Sequence, residues 1–126
     1  MTEILKSLTA FLRRAGLPVY QAGQVPDGAA FPYAVYALTA APFGQEGLCE
    51  VTGWHRGGNA NADCAAFLDR MAALVPESGA LLTVPGGRVA LYRGAAFQAL
   101  VTDGDALGGR ARLDARIYMT GGHQPC

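Results

Sequence analysis

Apolar residues recur at helical spacing near the start of the chain, at Ile4, Leu8, Phe11, Leu12 and Ala15, with Lys6, Arg13 and Arg14 off the stripe. That is the 3.6-residue period of a helix with one buried face. Thr2 is placed to cap it, and Gly16 followed by Pro18 stops it. The pattern then changes to strands: a short run at Val19 to Gln21, the β-formers Tyr33 to Thr39 behind Pro32, and Leu48 to Arg56 as the partner strand of a hairpin. Loops rich in Gly and Pro separate them, the second running from Ala40 to Gly47. After Gly57 and Gly58 the helical period returns, with Asn59 or Asn61 as cap and Cys64, Phe67, Leu68, Met71, Leu74 and Val75 facing inward until Pro76. Strand-like runs follow at Ala80 to Val84, Arg88 to Tyr92 and Phe97 to Thr102, and a turn-rich segment, Asp103 to Gly109, leads to the last strand.

That strand gives the sharpest signal in the chain. From Arg110 to Thr120, Ala111, Leu113, Ala115, Ile117 and Met119 alternate with Arg110, Arg112, Asp114, Arg116 and Tyr118. A period of two with one dry and one wet side requires a sheet covered on one face only, and such sheets are usually antiparallel. The order predicts an α+β fold, a mainly antiparallel sheet with two α-helices packed on one face. The same reading expects residues 1–120 to form a single domain and 121–126 a flexible C-terminal tail.

Composition changes the picture in one respect. Ten basic residues balance ten acidic ones, only 16% of the chain is charged, and 51% is hydrophobic. Zero net charge argues against a protein whose main task is to grip nucleic acid. So apolar a composition favours self-association, although the 17 glycines also dilute charge. No signal-type N-terminus and no run of 18 apolar residues is present, so the reading expects no membrane span and a cytoplasmic protein.

Candidate chemistry is sparse. The histidines His55 and His123 and the cysteines Cys49, Cys64 and Cys126 match no zinc spacing, and buried free thiols account for Cys49 and Cys64. Ser7 and Ser78 sit in no nucleophile elbow. Cys49 and His55, six residues apart on one strand, are separated by about 20 Å and cannot meet as nucleophile and base. Asp103 and Asp105 suggest a fragment of a calcium loop but lack the remaining ligands. Gly86–Gly87 and Gly108–Gly109 read as turns, with no Lys-Ser/Thr pair behind them. The reading therefore expects no enzyme, no catalytic residue, no metal and no cofactor. A pocket lined by Tyr33, Tyr36, Trp54 and His55 is the alternative, as a small ligand-binding or enzymatic α+β domain.

What remains is surface. Arg110, Arg112 and Arg116, with Arg88 and Arg93 on earlier strands, form a basic stripe suited to water, to the acids of a neighbouring subunit, or to the lining of a pore through which nucleic acid passes. Phe43, Gln45 and Glu46 in the first hairpin loop and Asp103 and Asp105 in the last are the other candidate interface residues. A nucleic-acid clamp is the weaker idea, since no aromatics interleave the arginines.

The string Phe31 to Tyr36 (FPYAVY), the strand Val51 to Arg56 (VTGWHR), the helix opening at Asn59 and the alternating last strand occur in this order. In these the chain resembles the tail-completion, or tail-terminator, proteins of long-tailed bacteriophages and prophages. The resemblance implies a non-enzymatic subunit of the virion tail, made in the bacterial cytoplasm, that forms a ring, commonly a hexamer. Such a ring caps the tail tube at the head–tail junction, with the tail tube protein and head–tail connector proteins as partners. Head–tail joining proteins share the same look and are the alternative. No ligand or catalytic residue is carried over from the family.

Overall fold

A computed structural model describes residues 2–40 and 46–119. Helix α1 (Thr2–Leu12) runs into a 3-10 turn (Arg13–Ala15). Ile4, Leu8, Phe11, Leu12 and Ala15, the whole expected stripe, are buried. Gly16 closes the turn at φ 95°, its N–H donating to Arg13 O at 3.0 Å, a left-handed cap that favours glycine. Strands β1 (Val19–Gln21), β2 (Tyr33–Ala40) and β3 (Glu46–Arg56) precede α2 (Ala60–Leu74), and β4 (Ala80–Val84), β5 (Gly87–Asp103) and β6 (Ala106–Met119) follow it.

The strands form one sheet in the order β1-β2-β3-β6-β5-β4. The class is α+β, but the sheet is mixed: β1 runs parallel to β2, while every other neighbouring pair is antiparallel. A helix-to-strand entry followed by a long loop returns the chain in the same direction, which a hairpin cannot do. Helix α1 touches both edge strands, β1 and β4, so the sheet curls around it, and α2 lies against β3 and β6. The buried residues of both helices and the inward residues of the strands, among them Tyr36, Val51, Leu91 and Leu113, make one core.

Two expectations are corrected by the long hairpin. Arg88 to Tyr92 and Phe97 to Thr102 belong to one strand, β5, broken by a bulge: between the pairs Arg93↔Leu113 and Gln98↔Ala111, β5 has four residues where β6 has one. The odd excess reverses which side faces the core, so Val89, Leu91 and Arg93 point inward before it and Gln98 after it. Ala96 takes the strain of the bulge at φ 51°. The segment Asp103 to Gly109 is mostly strand, with only Gly104 and Asp105 turning the chain.

Gly108 and Gly109 are in β6 for steric reasons. A Cβ on Gly108 would stand 2.6 Å from Thr52 Cγ2 and 2.9 Å from the Trp54 ring, and one on Gly109 would stand 3.0 Å from Leu68 Cγ. The pair forms a thin place where Trp54 presses on one face of the sheet and α2 on the other.

Candidate interaction surface

Both helices lie on one face, so the strands' outward residues are left without a covering layer. On β6 these are Arg110, Arg112, Asp114, Arg116 and Tyr118. They register with Thr52, Glu50, Leu48 and Glu46 of β3 on one side and with Ala99, Tyr92, Ala90 and Arg88 of β5 on the other. Arg112 Nε donates to Glu50 Oε2 at 2.8 Å, a cross-strand ion pair. Arg110 is half-buried among its neighbours, and its Nε is buried with no hydrogen-bond partner among the described residues. Arg116 and Arg88 are exposed and enter no ion pair among the described residues. Interspersed with these charges are large apolar groups open to solvent: Leu48, Leu81, Tyr92 and Tyr118, the last two 39% exposed.

The face therefore holds Arg110, Arg112 and Arg116 as expected. Glu46 is the exposed first residue of β3, opposite Arg116. Phe43 and Gln45 lie outside the described residues, as does His123. Arg93 does not belong to the stripe. It registers with inward-facing Leu113, and its Nε and Nη2 donate to Val75 O and Ala72 O, both at 2.9 Å, satisfying carbonyls at the end of α2.

At the end of the sheet near the β5–β6 turn, the loop before β2 folds toward the open face and encloses a cleft of about 670 Å³. Its walls include Phe31, Tyr33 and Trp54, and Asp27 and Asp103 stand at it. Arg56 stacks on Phe31 at 4.1 Å from the ring centroid, and its Nε is 3.2 Å from Asp105 Oδ1. Asp27 and Asp103 enter no ion pair among the described residues.

The expected pocket of Tyr33, Tyr36, Trp54 and His55 is split by strand alternation. Tyr33 and Trp54 line the cleft on the open face, whereas Tyr36 and His55 are buried on the helix face. The Tyr36 hydroxyl donates to Leu5 O at 2.8 Å and lies 2.8 Å from Thr9 Oγ1. Burial pushes its phenol above its usual range, with the Thr9 hydrogen bond partly opposing.

One pairing was missed by sequence reasoning: His55 Nδ1 lies 3.4 Å from Cys64 Sγ and 3.1 Å from Gly53 O. Cys64 Sγ donates to Leu107 O at 3.2 Å, and the sulfur has no solvent exposure. Burial, reinforced by the Asp63 carboxylate, pushes this thiol up, the reverse of what nucleophilic chemistry needs. The contact arises because the inward residue of β3 meets the first inward residue of α2, and neither spacing nor composition marks it. Among the described residues, no group of three or more His, Cys, Asp or Glu could hold a metal ion, and no helix is long and apolar enough to cross a membrane.

No family model and no curated protein matches the chain. Three solved chains match it; one of these, whose name carries no functional description, aligns at TM-score 0.67 and 15% identity over 99% of this chain and 94% of the other. At that identity the likeness is one of fold.

Proposed function

We propose that the protein is a structural subunit that completes the tail tube of a long-tailed bacteriophage or prophage. In this reading it closes into a ring, with six-fold symmetry as the expected form, at the head–tail junction, and meets the tail tube protein on one side and a connector protein on the other. The observation that carries this reading is the uncovered sheet face, on which alternating charges of both signs surround Leu48, Tyr92 and Tyr118. Exposed aromatics within a charged field suit protein contact. The family resemblance of the Phe31–Tyr36 and Val51–Arg56 strings supports the same role, and so does a composition with little charge.

A ring requires contacts between two different patches of the same subunit that close by rotation. Arg110, Arg112 and Arg116 would then meet a neighbour's acids or line the lumen through which DNA passes. Electron microscopy of the chain mixed with the tail tube protein of its own gene neighbourhood tests the role. Tubes of defined length bearing one ring at one end are expected, and tubes that lengthen unchecked with no added density would overturn it. The cleft supports a competing reading as a small-ligand domain, which a thermal-shift screen against metabolites would favour if any compound raised the melting temperature.

A further inference from the structure

The two ends of the open face differ in sign. At one end the concave cleft presents the aromatic walls Tyr33 and Trp54 and the carboxylates of Asp27 and Asp103, neither of which is ion-paired among the described residues. At the other end lies the tip of the β4–β5 hairpin, where Val84 pairs with Gly87. Arg88 is exposed there, opposite Tyr118 in the sheet and without an ion pair among the described residues. The 17 residues of β5 separate the two, on the order of 50 Å of strand, so they cannot meet within one subunit.

We propose that the cleft of one subunit receives the β4–β5 tip of the next, with the Arg88 guanidinium lying against Trp54 or Tyr33 and paired with Asp27 and Asp103. Guanidinium stacks on aromatic faces and pairs with carboxylates, so this one group answers both features of the cleft. The cleft's own arginine leaves them free, because Arg56 is spent on Phe31 and Asp105. The occupant is a second copy of this chain, since the arginine at the tip is complementary in charge to the two carboxylates at the cleft, none of them ion-paired among the described residues. A contact between unlike patches leaves a free tip and a free cleft at each step, so it propagates head to tail and closes when the rotation per subunit allows. Gly108 is part of the device, because only a residue without a side chain lets Trp54 lie across β6 and form the cleft wall.

This inference rests on the ring reading above, and charge reversal separates the two. Sedimentation velocity is run from micromolar to millimolar protein on the wild type, on Arg88→Glu, on the pair Asp27→Lys/Asp103→Lys, and on all three combined. Every changed residue is exposed, and circular dichroism verifies folding. Each reversal is expected to weaken self-association at least about tenfold, and the combined variant to recover about tenfold relative to either reversal, its ion pairs restored while the stacking on Trp54 or Tyr33 stays lost. Reversals that leave association intact, or a combined variant that fails to recover, would overturn this contact while the ring stands. A wild-type chain that stays monomeric throughout, alone and with tube protein, would overturn both.

Discussion

A single methyl group added at Gly53 measures how closely α2 is pressed onto the sheet. A Cβ there would lie 2.6, 2.8 and 2.9 Å from Cδ2, Cε2 and Cγ of Phe67. The ring is 1% exposed, so it has no open side to move into. Two effects of opposite sign compete. Replacing a glycine inside a strand by alanine gains about 0.5–1 kcal/mol of backbone entropy and propensity. Overpacking a well-filled core costs about 1–3 kcal/mol, and three sub-3 Å approaches to a rigid ring place this site toward the upper end. Gly53→Ala is therefore expected to destabilise by about 1–2 kcal/mol, which for a chain of this size lowers the melting temperature by about 3–10 °C. Phe67→Leu removes the ring that the methyl would strike, so in that background the Gly53 substitution should cost at least about 1 kcal/mol less. Thermal and urea unfolding of the four chains, followed by circular dichroism, give the numbers. If Gly53→Ala is as stable as wild type or more so, or costs the same in both backgrounds, α2 does not pack on β3 as described.

Arg93→Met keeps the aliphatic stem but removes the donors to Val75 O and Ala72 O; urea titration should show a loss of about 1.5–3 kcal/mol, little of it recovered by Arg93→Lys, whose ammonium lacks the fork. The Cys49 thiol is pushed by burial from its ordinary 9.0 up to about 12. A folded value above the unfolded one means the contribution is complete below pH 9 and is lost as pH rises toward 12. Stability should thus fall by up to about 1.4 kcal/mol per pH unit in that window, and Cys49→Ala should flatten this limb. In a Cys126→Ser chain, a thiol reagent should label neither Cys49 nor Cys64 in the native state and both after unfolding; rapid native labelling of Cys64 would refute its place under α2.

Periodicity was enough to read the helices, the strands up to β4 and the two sides of β6, because each element there has one buried and one wet face. It failed where sterics and long-range pairing decide. The Gly108–Gly109 pair carries turn composition, yet it belongs in β6 because Trp54 and Leu68 approach from opposite sides, a fact no local window contains. The bulge at Gly94–Phe97 reverses the alternation of β5, so one strand reads as two. Arg93 resembles its exposed neighbours in sequence, but its inward register turns it into a clasp on α2. The stripe of Arg110, Arg112 and Arg116 was legible because alternation alone settles which side they share. The cleft was legible only in part: Tyr33 and Trp54, expected in one pocket, do line it, but its remaining walls come from a loop and a turn that are distant in the chain.

The mass of the assembled protein bears most directly on whether the open face joins subunits. Light scattering coupled to size exclusion, over rising concentration and with tube protein added, should show the 13.1 kDa chain converging on one closed species of about six subunits. A single 13.1 kDa species under every condition would contradict it.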